Sequence, residues 1–350
     1  MRTSVLSYLE ESAKKLPDKV AFFDEKREIT FSELKRKSVV LGRYIKAQLS
    51  GRRNPILVYL PKDVSSIIAF MGILYSGNFY TPTDIRFPDE KIVSVMNALH
   101  PRAVVVNHKT REKLTKFADL AEIEVIDIED ALTADTLNTI NTANIMADVT
   151  ARDSMGSACN SDNEDLQTVT GIVTDNHSSQ SLIDDILDID PVYVFFTSGS
   201  TGVPKGVIIN NHNIIDYIDW AVKALPINEA TIMGNQSPFY FDISTQDIYA
   251  TLKTGATLGI IPPKYFAFPA KALQFIKDKH INFLYWVPSA FVNVANFDLL
   301  KDISLYEVEL IMFGGEVMPV KQLNYWKKYL PNLKTIANVY GPTEATVNCT

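Results

Sequence analysis

Val192-Tyr193-Val194-Phe195-Phe196 runs without a break into Thr197-Ser198-Gly199-Ser200-Thr201-Gly202-Val203-Pro204-Lys205-Gly206, and Val207-Ile208-Ile209 follows at once. The first run has the length and composition of a fully buried strand, and the third reads as another apolar strand. Between them lies a loop whose chemistry is legible residue by residue. Gly199, Gly202 and Gly206 let the backbone turn tightly and expose its N–H groups. Thr197, Ser198, Ser200 and Thr201 add hydroxyl donors, and Lys205 adds a fixed positive charge. Such a loop suits a polyphosphate. It is not a Gly-Lys-Ser/Thr phosphate loop, because Pro204 stands five residues after Gly199. It is not a dinucleotide fingerprint either, because a strand rather than a helix comes next. The competing reading is a flexible Ser/Gly turn. Ten consecutive residues of this composition between two apolar runs argue against it.

Outward from the loop, short β-branched runs alternate with helical patterns. Ala21-Phe22-Phe23, Pro55 to Leu60, Ala103 to Val106 and Glu124 to Ile128 read as strands. Val5 to Lys15 and the stretch from Ile67 to Leu74 read as helices, the latter ended by Gly77. Another helix opens near Thr30-Phe31-Ser32, with Ser32 as the expected N-cap. Strands alternating with helices of ten to fifteen residues imply βαβ units, so the fold class is α/β with mostly parallel sheets sandwiched by helices.

The charge is unevenly distributed. The 350 residues carry a net −7, yet Ala118 to Pro191 holds seventeen acidic residues, one base (Arg152) and no aromatic ring. The remainder is therefore net positive, which suits an anionic small ligand such as a nucleotide. An acidic balance overall argues against a nucleic-acid partner. Residues 133–190 read as an acidic, aromatic-free insertion, with little to form a buried face. It divides a first part, residues 1–132, from a second part, residues 191–350, that holds the glycine- and hydroxyl-rich loop. Two cysteines, Cys159 and Cys349, exclude a disulfide framework. The histidines show no metal spacing, no apolar run reaches membrane-spanning length, and the start lacks a signal-peptide stretch, so a cytoplasmic location is expected.

The string Phe196 to Gly206 resembles the signature loop of the adenylate-forming enzymes: acyl- and aryl-CoA ligases, luciferases and the amino-acid adenylation domains of nonribosomal peptide synthetases. Three further stretches resemble that family in the same order. They are Leu74 to Asp84 in looser form, Phe313-Gly314-Gly315-Glu316, and Asn338-Val339-Tyr340-Gly341-Pro342-Thr343-Glu344-Ala345-Thr346. The resemblance implies the large N-terminal domain of the family fold. It also implies ATP-dependent activation of a carboxylate as an acyl-AMP, with release of pyrophosphate.

The same resemblance assigns expected roles. Thr197, Ser198, Gly199, Ser200, Thr201, Gly202 and Lys205 would hold the phosphates. Gly314, Gly315, Glu316, Asn338, Val339, Tyr340 and Gly341 would line the adenine site, with Tyr340 stacked on the ring. Thr343 would donate to the α-phosphate and Glu344 would hold Mg²⁺, so Lys205, Thr343 and Glu344 are the expected catalytic set. Asp242, at the Phe-Asp position, would pair with a substrate ammonium, which favours an amino acid. Its alternative reading is a cap for the following helix. Around the substrate side chain the alignment places Ile243, Gln246, Tyr285, Ile311, Phe313, Val339, Val347 and Asn348. Bulky Tyr285 and Phe313 imply a short cavity for a small neutral amino acid. The segments Asn235 to Asp242 and Phe313 to Pro319 resemble D-alanine:carrier-protein ligases, which makes D-alanine a candidate and implies a carrier protein with a phosphopantetheine arm.

The sequence departs from the family in two ways. One is the acidic insertion. The other is the end at Thr350, four residues after the last signature, so that the family's C-terminal lid and its lysine are expected to be absent and this chain alone to be poorly active. An acyl-CoA ligase with an incidental Asp242, or a degenerate nucleotide-binding module without catalysis, are the rival readings.

Overall fold

The computed structural model describes residues 2–133, 176–197 and 204–350. The loop positions Ser198, Gly199, Ser200, Thr201 and Gly202 and most of the acidic insertion therefore lie outside the described residues.

The strands, in chain order, are β1 (Val20–Phe23), β2 (Glu28–Thr30), β3 (Pro55–Val58), β4 (Phe79–Pro82), β5 (Ala103–Val106) and β6 (Glu124–Asp127). After the insertion come β7 (Pro191–Thr197), β8 (Lys205–Asn210), β9 (Ile232–Asn235), β10 (Thr257–Ile260), β11 (Phe283–Trp286), β12 (Leu310–Gly314) and β13 (Thr335–Val339). They form two sheets. One has the order β13-β12-β11-β9-β10-β1-β2, the other β6-β5-β3-β4-β7-β8. Pairing is parallel except at the edges, where β2 and β8 run antiparallel to β1 and β7. Helices cross between successive parallel strands, as the alternation in the sequence requires.

Alternate side chains along the strands feed different cores. Ile56 and Val58 of β3 face the central core, while Leu57 faces an outer one with Ile92 and Leu114. Phe283 and Tyr285 of β11 also face the central core, whereas Leu284 and Trp286 face a third cluster with Phe291 and Trp326. The central core holds helices Phe31–Gln48, Val64–Tyr75, Asn211–Ala224 and Ile243–Thr254 between the sheets. Strands buried on both faces read as continuous apolar runs, which is why periodicity alone located them without revealing which face is which.

Three expectations need correction. The helix at Phe31–Gln48 is capped by Thr30, whose hydroxyl accepts from the Glu33 N–H at 3.2 Å; Ser32 lies inside the first turn. β8 is an edge strand rather than a buried one: it pairs only with β7, leaving Lys205 and Gly206 exposed and Ile208 65% exposed. The packed body also resumes before Pro191. Ser179, Ile183 and Ile186 are buried, and Asp190 accepts from Arg52 at 3.1 Å and from Arg53 at 2.6 Å. Small aliphatic side chains suffice to anchor that segment, so the missing aromatics were a poor guide to its boundary.

The helix Val64–Tyr75 does end where Gly77 stands. Gly77 adopts φ +77°, and the Asn78 N–H donates back to the Ile73 carbonyl at 3.2 Å. Among the described residues, no helix is long and apolar enough to cross a membrane.

Candidate active site

The C-terminal ends of β9, β11, β12 and β13 open on one side of the first sheet, the place where parallel α/β sheets offer their crevice. Asp242 lies there, immediately before helix Ile243–Thr254. It occupies the N-cap place, yet its side chain makes no capping bond. Its Oδ2 is buried with no hydrogen-bond partner among the described residues. Burial pushes the carboxyl up to about 6, and the Thr343 hydroxyl and the Ile243 and Val347 N–H groups pull in the other direction. Holding a carboxylate there in its ionised form without a cation costs several kcal/mol, order of magnitude.

The second signature folds around this carboxylate. β13 delivers Asn338 and Val339, then Tyr340 stands 64% exposed with its ring open to a ligand face. The chain turns at Gly341-Pro342 into a 3-10 turn, Thr343–Ala345, and returns so that the Cys349 N–H donates to the Tyr340 carbonyl at 2.9 Å. The turn needs glycine at 341: a Cβ there would stand 2.3 Å from the Val347 carbonyl oxygen. Thr346 and Val347 adopt φ +63° and +69°, a left-handed conformation that β-branched residues rarely take. Such strain marks a segment held in place by its surroundings. Here it turns the Val347 N–H toward Asp242. β8 packs against Thr343–Ala345, which brings the β7–β8 pair beside the turn. Thr197 is half-buried and directly opposite exposed Lys205, whose side chain faces solvent.

Below Asp242 the floor is a buried polar network. Tyr285 Oη donates to Asn348 Oδ1 at 3.0 Å, and Asn348 Nδ2 donates to Tyr217 Oη at 2.7 Å. Tyr217 Oη in turn donates to Gln246 Oε1, and Gln246 Nε2 meets Met312 Sδ at 3.4 Å. Gln246, Tyr285, Val347 and Asn348 are all buried, while Ile243 is half-buried at the rim. The network carries no formal charge.

Not every expected residue is brought to this floor. Ile311 and Phe313 point to the opposite face of β12, where Phe313 meets Phe291 edge-on at 6.3 Å. Met312 occupies the site face instead, and by the pleat Gly314 shares it. Gly314 packs directly against Val339: a Cβ would stand 2.7 Å from the Val339 carbonyl. Gly315 is exposed just beyond. Glu316 is exposed beside Gly315, and its carboxylate accepts from the Ser289 N–H at 2.8 Å and from the Ser289 hydroxyl at 3.2 Å. Asn338 is exposed on the edge strand β13, and Glu344 projects from the 3-10 turn with no ion pair to any described residue.

The sequence pattern of the family described as "AMP-binding enzyme" matches residues 9–350. The chain belongs to the AMP-binding enzyme family. Among relatives of this AMP-binding enzyme, the D-alanine–D-alanyl carrier protein ligase of Bacillus cytotoxicus is 27% identical over 346 residues, covering 99% of the chain and 60% of the relative. Zwittermicin A synthase ZmaJ of Bacillus cereus is 24% identical, covering 100% and 59%. The chain thus spans about 60% of the length of the curated relatives it matches. In three dimensions it resembles the nonribosomal peptide synthetase FmoA3 bound to α-methyl-L-serine-AMP, with a TM-score of 0.78 at 19% identity over 99% of this chain and 34% of that one. VinN in complex with L-aspartate gives 0.75 at 18% identity, over 99% and 78%. These likenesses establish the adenylation-domain fold.

Two members of the polar network, Tyr217 and Met312, were not among the expected residues. Tyr217 lies on a helix whose buried stripe is Ile214, Tyr217, Ile218 and Ala221. A tyrosine on a core stripe requires a buried partner, and that was the available signal. Met312 was missed by one position in a run where every residue is apolar.

Proposed function

We propose that the chain binds ATP and a small neutral amino acid and joins them as an aminoacyl-AMP, releasing pyrophosphate, for later transfer to the phosphopantetheine thiol of a carrier protein. The observation that carries this reading is the buried, partnerless Oδ2 of Asp242 beside Thr343. A substrate ammonium supplies the missing cation, and its own carboxylate then lies toward the turn that would hold the α-phosphate. D-alanine is the first candidate, because the uncharged floor suits it and several relatives are named for it.

In the reaction a carboxylate oxygen attacks the α-phosphorus and the bond to the β-phosphate oxygen breaks. Asp242 would hold and orient the amine. Thr343 would donate to an α-phosphate oxygen, and Lys205, with the hydroxyls from Thr197 to Thr201, would hold the departing phosphates. Tyr340 would stack on adenine, with Asn338, Gly314 and Gly315 around it. Glu344 is an exposed hard carboxylate suited to Mg²⁺, which when bound would neutralise charge between two approaching anions.

The experiment is adenylate trapping. Incubation with ATP, Mg²⁺, D-alanine and hydroxylamine should yield alanine hydroxamate. Hydroxamate formed only from fatty or aryl acids would support the acyl-CoA ligase reading instead, and ATP binding without any hydroxamate would support a non-catalytic module.

A further inference from the structure

Lys62 follows β3 in the second sheet, yet its ammonium is spent entirely on the first. Its Nζ donates to the carbonyls of Gln236 at 3.0 Å, Asn235 at 3.2 Å and Ile261 at 3.4 Å. Asn235 ends β9, Gln236 follows it, and Ile261 follows β10, so one lysine gathers the C-terminal ends of two adjacent strands. Asn235 is fully buried, and its Nδ2 donates to Asp247 Oδ2 at 2.8 Å. Asp247 sits on helix Ile243–Thr254, one residue after Gln246 and five after Asp242. Lys62 also lies 5.8 Å from the Phe239 ring centroid, part-way along the segment leading to Asp242.

We propose that Lys62, acting through Asn235 and Asp247, is a positioning residue that fixes Asp242 and the first turn of its helix for the incoming amine; this rests on the amino-acid reading above. Burying a lysine and an aspartate is a poor way to gain stability, since well-packed apolar residues would serve as well. Both groups are driven toward neutrality by burial, Lys62 down to about 7 and Asp247 up to about 7, and each opposes the shift of the other. What the assembly provides is direction. Lys62 holds the Asn235 and Gln236 carbonyls at the start of the Asn235–Asp242 segment, and the Asn235 amide ties that start to Asp247 on the helix that follows Asp242, while Phe239 packs edge-on against Phe70 midway.

Lys62→Met keeps the aliphatic stem and removes the ammonium, and Asp247→Asn keeps the shape and removes the charge. The test measures ATP–pyrophosphate exchange with D-alanine at a temperature well below every variant's Tm. The expected result is a KM for D-alanine raised about tenfold in each variant with the KM for ATP unchanged, and a double variant no worse than the weaker single, as for residues acting in one unit. A lowered Tm with both KM values unchanged, or equal rises in both KM values, overturns the proposal and leaves a purely structural lysine. If Lys62→Met does not fold, Asp247→Asn alone decides. Wild-type chain that supports no exchange with D-alanine or any other amino acid removes the amino-acid reading itself, and the positioning role with it.

Discussion

The Asn348 amide donates to the Tyr217 hydroxyl at 2.7 Å, joining two residues 131 apart in the chain. That bond ties helix Asn211–Ala224 to the strained turn that also presents Val347 to Asp242. The buried polar network and the turn that carries Tyr340 and Thr343 are therefore one connected piece.

Tyr217→Phe removes the shared hydroxyl, leaving the Asn348 and Gln246 amides short of a partner in a buried place. A loss of about 1–3 kcal/mol in unfolding free energy is expected, together with a several-fold rise in KM for the amino acid. Urea unfolding and pyrophosphate exchange on the same preparation check both.

Asp242→Asn should separate binding from stability. Losing one partner of a buried charge pair costs about 3–5 kcal/mol, so amino-acid-dependent exchange should fall by at least about a hundredfold. The empty protein should become more stable near pH 7. The folded carboxyl titrates at about 6 against an ordinary 3.8, so the folded form holds its proton more tightly than the unfolded chain does. Stability therefore falls as the pH rises from about 4 to about 6, by up to about 3 kcal/mol in all, stays low above that, and the neutral amide avoids the loss. A thermal scan of both proteins should give the variant the higher Tm.

pH dependence follows from the same carboxyl. Pairing with an ammonium needs Asp242 ionised. Amino-acid affinity should be level above pH 7 and fall as the pH drops through about 6, approaching tenfold per unit below it. Calorimetry in two buffers of different ionisation enthalpy should detect proton release on binding near pH 6. An affinity unchanged between pH 5 and 7 would contradict the ion pair.

The sequence and the structure agree most where chemistry forces a residue type and least where only a face must be chosen. Gly77 and the turn at Gly341-Pro342 were legible, because few residues could stand there. In Leu310 to Phe313 every position is apolar and both faces of β12 are buried. Parity is then invisible, and a shift of one residue sends Ile311 and Phe313 into the cluster with Phe291. The hold of Ser289 on Glu316, 27 residues away, had no signal in the sequence because it is a tertiary contact. The buried lysine at 62 gave no signal, since a lysine beside a helix start is ordinarily solvated.

Gly341→Ala tests the fold of the turn separately from the core. The new methyl would stand 2.3 Å from a backbone oxygen, so the turn must open. Tyr340, Thr343 and Val347 would move together. Nucleotide and amino-acid affinity should both fall at least about tenfold, while far-UV circular dichroism stays unchanged. Retained affinity for both ligands would mean that the turn does not organise the site.

The most direct test compares D-alanine with propionate, the same carbon skeleton without the amine, in ATP–pyrophosphate exchange on the wild-type chain and on Asp242→Asn. The account predicts that D-alanine outpaces propionate by about a hundredfold or more in the wild type and that the gap closes in the variant. Equal exchange with the two acids in the wild type would contradict the claim that Asp242 receives a substrate ammonium.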